Sequence, residues 1–234
     1  MTKSIIVTVL PGLTDYQDSL KLQKTLVTLR KQSKIQDILL LLEHPPILTL
    51  GKNADDTHIL YSAETLANQG IKIYKSDRGG NVTYHGPGQI VGYPILNIKE
   101  NNLKVKKYIW LLEQVFIDML AAEFSVQAYR EPNYRGVWVE DNKITDIGCA
   151  VKYGITMHGF AFNVNTNLDH FRLINPCGIT EKGITSLKTI LGQSVELELI
   201  NNLIIKYFSM CFDKQPQAIM YQELQKLVGV EQIE

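Results

Sequence analysis

The stretch RGGNVTYHGPGQ, residues 78–89, sets the interpretation of the whole chain. It contains four glycines, a proline, an arginine and a histidine. Glycines at this density let the backbone approach a ligand closely and adopt positive φ values. Arg78 can bind an anion with two hydrogen bonds, and His85 can donate, accept or carry a proton. The stretch is therefore either a ligand site or, more simply, a glycine-rich hairpin with one exposed arginine and one hydrogen-bonded histidine.

The composition is that of a globular domain. The chain has 234 residues, of which 45% are apolar and 21% are charged, and its net charge is zero. That charge gives no support to a general nucleic-acid or anionic-membrane binder. No apolar run approaches the roughly 20 residues that span a bilayer, and the N-terminus reads as a first strand instead of a signal peptide. We expect a cytoplasmic, monomeric protein with one catalytic domain over residues 1–234.

Three cysteines occur, at positions 149, 177 and 211. An odd, small number without paired spacing argues against a disulfide framework and suits a reducing compartment. No CxxC or HExxH motif is present, so we expect no metal and no other cofactor. Cys149 and Cys211 lie in apolar periodic segments and are read as inert buried thiols. Cys177 lies between a proline and a glycine, and its loop context alone leaves an inert and an accessible thiol open.

The apolar periodicity predicts strands and helices that are interspersed without strict alternation. Strands are expected at 4–9, 37–42, 47–50, 71–74, 90–98, 136–139, 143–151 and 155–164. Helices are expected from a capping box at Thr14 and Gln17 to about residue 30, and at 62–69, 104–123, 184–191, 193–211 and 217–228, with a short helical turn at 168–173. This order predicts an α/β (α+β) fold with a mixed sheet flanked by helices.

The glycine-rich stretch resembles the signature of the lipoyl(octanoyl) transferases. The resemblance continues through LEHPP near residue 42, HGFAFNVN at 158–165 and NPCGI at 175–179, and it covers roughly residues 35–190. It implies the biotin/lipoate protein ligase-like fold, with a largely antiparallel sheet. The implied reaction moves an octanoyl group from octanoyl-acyl carrier protein to a lysine of a lipoyl domain, without a nucleotide.

The resemblance also implies the catalytic residues. Cys177 coincides with the family's acyl-transfer nucleophile, and Lys143 with the lysine that assists it. A thiol is mostly protonated near neutrality, because its free pKa is about 8.5, so it needs a base or a cation nearby. Without the resemblance, Lys143 reads as a solvated charge at a hairpin.

The family's acyl-binding segments fall on three stretches of this chain. With glycines beside the backbone, they are expected to form a narrow, apolar tunnel for the eight-carbon chain. Asp146 departs from the family pattern, which tends to a small residue at that position. The implied substrate-binding residues are Arg78, Gly79, Gly80, Asn81, Val82, Thr83, Tyr84, His85, Asp146, Ile147, Gly148, Gly159, Phe160 and Ala161.

The implied acceptors are the lipoyl domains of 2-oxoacid dehydrogenases and the glycine cleavage H protein. Lysines 99, 104, 106 and 107 could meet an acidic carrier protein, or they could simply be a solvated helix start. Two alternatives stay open. One is an ATP-dependent lipoate or biotin protein ligase, and the other is a non-catalytic member of the same fold that binds acyl chains or lipoyl domains.

Overall fold

Helices and strands are interspersed along the chain, as the apolar pattern predicts. The structure, a computed structural model, describes residues 3–54, 56–174 and 182–229. Its strands are β1 (Lys3–Leu13), β2 (Ile38–Glu43), β3 (Ile47–Leu50), β4 (Lys72–Lys75), β5 (Val82–His85), β6 (Gln89–Ile95), β7 (Tyr129–Glu131), β8 (Tyr134–Val139), β9 (Asn142–Lys152), β10 (Ile155–Asn163), β11 (Gly183–Ile184) and β12 (Lys214–Ala218). Its helices are α1 (Tyr16–Lys31), α2 (Ala63–Asn68), α3 (Val105–Phe124), α4 (Leu187–Leu191), α5 (Leu197–Phe212) and α6 (Tyr221–Val228), with 3-10 turns at Asp56–His58 and Leu168–Leu173.

Within the described residues, nine strands form the larger sheet in the order β12-β1-β2-β6-β10-β9-β8-β7, with β11 paired to β9. The pairs that involve β1 and β11 are parallel, and the other pairs are antiparallel. The predicted mixed, largely antiparallel sheet is confirmed.

The apolar run of β2 is buried on both faces, as a central strand requires. Leu39 and Leu41 belong to a core with α3 and α5 on one face of the sheet. Ile38, Leu40 and Leu42 belong to a core with α1 and α6 on the other face. Strands covered on both faces read as continuous apolar runs, which explains why ILLLL shows no alternation.

A second, three-stranded sheet has the order β4-β3-β5 within the described residues. Its strand β5 is the VTYH segment of the glycine-rich stretch and pairs antiparallel with β3. A third core lies on this sheet, where α2 and the 168–173 turn pack. No strand bounds were predicted within residues 78–89, so β5 is a finding of the structure.

Several predicted helix starts are wrong by a few residues. Helix α1 is capped by Asp15, whose side chain accepts from the Gln17 backbone N–H at 2.8 Å, and not by Thr14. The segment expected to be helical from residue 184 first adds β11, and α4 starts after its cap, Ser186. Helix α5 begins at Leu197 instead of residue 193.

The C-terminal segment differs most from the prediction. Residues 217 and 218, expected in the last helix, end strand β12, and α6 begins only at Tyr221. Strand β12 has the sequence KQPQA, which carries no apolar alternation. It is a strand because it pairs in parallel with β1 at the edge of the sheet, where a proline is tolerated.

A buried charge cluster joins this edge of the sheet to α1. The carboxylate of Asp37 accepts from Arg30 Nε at 2.8 Å and from Lys214 Nζ at 2.7 Å. Asn101 Nδ2 and the Asn97 backbone N–H also donate to it. Burial alone would raise the pKa of Asp37, but these donors and cations lower it below its usual value. The cluster is fully paired, as a buried carboxylate requires.

Among the described residues, no helix combines the length and the apolar content that crossing a bilayer requires.

Candidate active site

Three of the four sequence blocks that carry the resemblance meet in space, namely LEHPP, the glycine-rich stretch and HGFAFNVN. Glu43, from LEHPP, accepts the Gly88 backbone N–H at 2.7 Å. Gln89 donates to Asn163, from HGFAFNVN, at 2.9 Å. Asn163 in turn donates to the carbonyl of Thr185 at 3.1 Å. Hydrogen bonds therefore connect LEHPP, the glycine-rich stretch, HGFAFNVN and Thr185, which are four separate segments of the sequence.

Beside this junction lies an open cleft with a volume of about 920 Å³. Its walls come from the glycine-rich stretch, from α3, from the β7–β8 hairpin and from strands β9 and β10. The described side chains that line it include Arg78, Asn81, Thr83, Ile109, Trp110, Glu113, Arg130, Arg135, Lys143, Asp146, Ile147, Ala161, Phe171 and Ile184. A cleft of this size, with apolar walls and a few charged groups, is the common form of a small-molecule site.

A β-bulge shapes the wall that carries Lys143. The pairing of β8 with β9 shifts between Val137, opposite Thr145, and Trp138, opposite Lys143, so that Ile144 is an extra residue on β9. Bulges of this kind redirect side chains and are common beside active sites. Ile144 and Ile147 both enter the core under α3, although they are three residues apart. Lys143 and Asp146 consequently both face the cleft.

The ammonium group of Lys143 lies in a defined environment. Its Nζ is 3.0 Å from Asp146 Oδ1, and the Lys143 side chain is only 11% exposed. It lies 5.3 Å from the centre of the Trp138 ring. Lys143 is therefore not the solvated hairpin charge that its sequence context alone suggests.

Asp146 is ionised throughout the neutral range. Burial alone would raise its pKa, but Lys143, Arg78 and the Thr83 hydroxyl outweigh burial and lower the pKa to about 2. The Lys143–Asp146 contact is thus an ion pair inside the cleft, with the Arg78 guanidinium nearby.

The guanidinium of Arg78 is tied to the second sheet. Its Nη2 donates to the carbonyl of Thr49 at 2.6 Å, its Nε to the Thr49 hydroxyl at 3.1 Å, and its Nη1 to the carbonyl of Gly79 at 3.0 Å. The Gly79 N–H donates to the carbonyl of Cys149 on β9, and Gly80 has φ +88°. These bonds fasten the glycine-rich stretch to both sheets while Arg78, Gly80 and Asn81 line the cleft.

The VTYH strand alternates between the cleft and the core. Thr83 lines the cleft, whereas Val82 packs in the core of the second sheet and only borders the cleft. Tyr84 packs in the core of the second sheet, where its hydroxyl is 2.7 Å from His170 Nδ1, and burial raises its pKa to about 12. His85 is buried and 2.8 Å from Gln89 Oε1, and burial, with His44 nearby, lowers its pKa to about 3. It is therefore neutral at pH 7.

Behind the cleft is a small inner cavity of about 20 Å³. It has room for about one water molecule. Its lining includes Gly148, Gly159, Phe160 and Ala161, as the resemblance implies, but also the polar side chains of Tyr16, Arg78, His85, Tyr93 and His158. The inner cavity shares Arg78, Thr83, Asp146 and Ala161 with the cleft, and its lining combines apolar surface with polar side chains.

His158 adopts an unusual backbone conformation, with φ +55°. Its N–H donates to Gln23 Oε1 at 2.8 Å, and its Nε2 lies 2.7 Å from Asp77 Oδ1. Burial lowers the pKa of His158, so the neutral ring donates to the Asp77 carboxylate. That bond, together with Lys152, lowers the pKa of Asp77. This pair could not be predicted from the sequence, because its members lie 81 residues apart.

The far wall of the cleft, from α3 and the β7–β8 hairpin, was missed by sequence reasoning. Glu113 there accepts from Arg130 Nε at 3.1 Å and from the Gly136 N–H at 3.2 Å. Arg130 also lies over the ring of Trp110, 4.3 Å from its centre. Glu113 is a buried charge within the apolar face of α3, and Trp110 is an exposed aromatic residue three positions before it; this pair is the one sequence signal that could have indicated this wall.

Cys177 lies at a position outside the described residues. Phe171, six positions before it, and Ile184, seven positions after it, both line the cleft, and Ile184 pairs with Lys143 across β11 and β9.

Burial raises the pKa values of the Cys149 and Cys211 thiols to about 11, so both stay protonated at neutral pH. Among the described residues, no group of three or more His, Cys, Asp or Glu side chains could hold a metal ion.

Solved structures share this fold. A lipoate-protein ligase A bound with ATP superimposes with a TM-score of 0.69 at 15% identity, over 98% of this chain and 93% of that chain. A chain from the structure of a bipartite lipoate protein ligase and its E2 lipoyl domain from Thermoplasma acidophilum superimposes with a TM-score of 0.70 at 14% identity, over 100% of this chain and 99% of that chain. A biotin protein ligase from Aquifex aeolicus superimposes with a TM-score of 0.50 at 14% identity, over 90% of this chain and 69% of that chain. The protein thus has the biotin/lipoate protein ligase fold, as expected.

Sequence comparison narrows this class. The family model of the lipoyl protein ligase A/B catalytic domain matches residues 15–209. An octanoyltransferase from Desulforamulus reducens is 52% identical over 94% of this chain and 96% of its own length. One from Caldicellulosiruptor saccharolyticus is 47% identical over 92% of each chain. The chain belongs to the octanoyltransferase family and is an acyltransferase, which confirms the resemblance seen in the sequence.

Proposed function

We propose that this enzyme transfers an octanoyl group from octanoyl-acyl carrier protein to a lysine of lipoyl domains through a thioester on Cys177. The observation that carries the proposal is the 52% identity, over nearly the whole chain, to a relative named Octanoyltransferase. The acceptors are the lipoyl domains of 2-oxoacid dehydrogenases and the glycine cleavage H protein.

The cleft geometry supports the role of Lys143. A cysteine nucleophile needs a nearby cation or base, and Lys143 offers a cation in a cleft large enough for an acyl chain. Strand β11, which follows the NPCGI segment, pairs directly with Asn142 and Lys143. Ile184, seven positions after Cys177 in the sequence, therefore lies beside the backbone of Lys143.

In the first half-reaction, the Cys177 thiolate attacks the carbonyl carbon of the octanoyl thioester. The new carbon–sulfur bond forms as the bond to the carrier sulfur breaks, and the Lys143 ammonium gives a proton to the departing carrier thiolate. Backbone N–H groups are the usual donors to the oxyanion of such a step.

In the second half-reaction, the uncharged ε-amine of the acceptor lysine attacks the enzyme thioester. An amide bond forms, Cys177 leaves as a thiolate, and the proton lost by the amine returns to Lys143. Forming an amide from a thioester is downhill, so the reaction needs no nucleotide.

Intact-protein mass spectrometry tests the proposal. The enzyme is mixed with octanoyl-acyl carrier protein in the absence of ATP, and a lipoyl domain is added afterwards. We expect a mass gain of one octanoyl group that maps to Cys177 and disappears when the lipoyl domain becomes octanoylated. Cys177→Ser should remove the adduct. Lys143→Met should slow its formation, whereas Lys188→Met, at an exposed lysine on α4, should not.

The ATP-dependent ligase is the competing function, because the matched family model covers ligases and one fold neighbour binds ATP. Product that forms only from free octanoate and ATP, with no adduct on Cys177, would favour the ligase. Binding of octanoyl-acyl carrier protein without any product would favour the non-catalytic alternative.

A further inference from the structure

We infer that Asp146 is a positioning residue that fixes the ammonium group of Lys143 in the cleft. The inference deepens the proposed function and rests on it for the kinetic consequence. The contact itself is a property of the described residues and can be tested without the reaction.

The bulge at Ile144 places Lys143 and Asp146 on one face of β9. In a regular strand, residues three apart point to opposite faces. The register shift between Val137 and Trp138 inserts one residue on β9 and brings Lys143 and Asp146 to the same side, with Nζ 3.0 Å from Oδ1. The ion pair therefore depends on an irregularity in the sheet that places these two side chains together.

The stem of Lys143 is confined on the β8 side. A Cβ at Gly136 would lie 3.3 Å from Lys143 Cδ and 3.4 Å from its Cε, so the glycine leaves the space along which this stem runs. The ring of Trp138 lies beyond it. These contacts guide the methylene groups, but they offer no hydrogen-bond acceptor to the ammonium group.

Asp146 supplies that acceptor. Within the part of the chain that the structure describes, its carboxylate is the one hydrogen-bond partner of Lys143 Nζ. The carboxylate faces Arg78, which is held by Thr49, so it is itself kept in place by a fixed cation. Ordering a lysine side chain costs rotamer entropy, and a hydrogen bond to a fixed partner offsets that cost.

An ordinary exposed ion pair would contribute little, and the chain contains one for comparison. Lys206 Nζ lies 2.7 Å from Glu123 Oε1, where α5 meets α3, with side chains 54% and 28% exposed. Neither residue lines the cleft. The variants Asp146→Asn and Glu123→Gln therefore remove one carboxylate charge each, and only the first should affect the reaction.

The experiment measures lysine reactivity and kinetics on the same variants. Reductive methylation with limiting reagent, followed by peptide mapping, reports each lysine. We expect Asp146→Asn to raise the labelling rate of Lys143 several-fold and to leave Lys206 unchanged, and Glu123→Gln to do the reverse. With octanoyl-acyl carrier protein, Asp146→Asn should lower kcat by about tenfold with little change in KM, because it disturbs a group that acts in the transition state.

Asp146→Glu serves as the conservative variant, since it keeps the charge and should retain the protection of Lys143. Thermal unfolding of each variant confirms that it is folded. Unchanged labelling of Lys143 in Asp146→Asn would overturn the inference, as would faster labelling with unchanged kcat. If the wild-type enzyme transfers no octanoyl group, the proposed function fails, whereas the labelling still decides whether Asp146 holds Lys143.

Discussion

The ring of Phe160 on β10 lies over the α-carbon of Gly92 on β6. The two residues are directly paired in the sheet, and a Cβ at Gly92 would lie only 2.0 Å from Phe160 Cζ. The other side of this ring meets Phe116 of α3 edge-on, with centroids 4.8 Å apart. Gly92 is therefore required by packing, since its φ is not in the left-handed region.

Gly92→Ala should destabilise the protein by about 1–3 kcal/mol, the usual cost of overpacking a core. The measurement is the free energy of unfolding in urea. A second variant, Gly92→Ala with Phe160→Leu, should recover part of this loss, because the smaller side chain makes room for the methyl group. Strict additivity of the two single changes would contradict the assigned cause.

Asp37→Asn should cost about 3–5 kcal/mol of unfolding free energy, because it leaves the buried ammonium group of Lys214 without its counter-charge. The control is Asp18→Asn, which removes an exposed pair with Lys21 and should cost at most about 0.5 kcal/mol. Urea unfolding of both variants at pH 7 provides the comparison. Equal losses would mean that burial of the cluster is not the cause.

The buried imidazole of His44 predicts that the free energy of unfolding starts to fall below pH 6.5, before the carboxylates begin to titrate. Its ring nitrogens contact the Thr14 carbonyl and the Tyr93 hydroxyl, and burial lowers its pKa to about 4. Below pH 6.5 the unfolded chain takes up a proton at this residue, whereas the folded protein does not until about pH 4. The stability that neutral His44 contributes is thus fully present above pH 6.5 and is lost as the pH falls towards 4.

At pH 5 this linkage amounts to about 2 kcal/mol. His44→Gln should therefore lose less unfolding free energy than the wild type between pH 7 and pH 5, by about that amount. Urea unfolding at the two pH values measures the difference. An unchanged loss in the variant would show that His44 titrates normally in the folded state.

Ala161 lines both the cleft and the inner cavity and is buried. Under the proposed function, Ala161→Leu narrows the space between them and should lower kcat/KM for an octanoyl donor by at least about tenfold. A butanoyl donor, which needs less depth, should be affected much less. Ala122→Leu, on the exposed side of α3, is the control. Equal losses with both donors would indicate that the acyl chain does not extend past Ala161.

Much of the fold could be predicted from local patterns. Val91, Tyr93 and Ile95 were expected on one face of a strand, and all three enter the core under α1 and α6. The signals are strong there because burial on one face imposes a period of two. Strand β12 gave no such signal, since its polar residues are strand only through pairing with β1.

Site residues could be predicted where the residue type itself indicates a chemical role. They could not be predicted where the role depends on which residues come into contact in the fold. The residue types indicated the glycine-rich stretch and the family resemblance indicated Lys143, and both lie in the cleft wall. The sequence could not predict that Arg78 binds Thr49, or that Tyr84 turns into the core of the second sheet. Those outcomes depend on how β3 pairs with β5, which is a long-range property of the fold.

The extra residue at Ile144 divides β9 into two segments of opposite parity. Before it, the odd-numbered position Lys143 faces the cleft; after it, the even-numbered position Asp146 does. Removal of the extra residue would leave a regular strand in which Lys143 and Asp146, then two residues apart, still share a face. A relative that lacks the extra residue would therefore carry, beside the same lysine, the side chain two positions after it, whereas in this chain that neighbour is three positions after it.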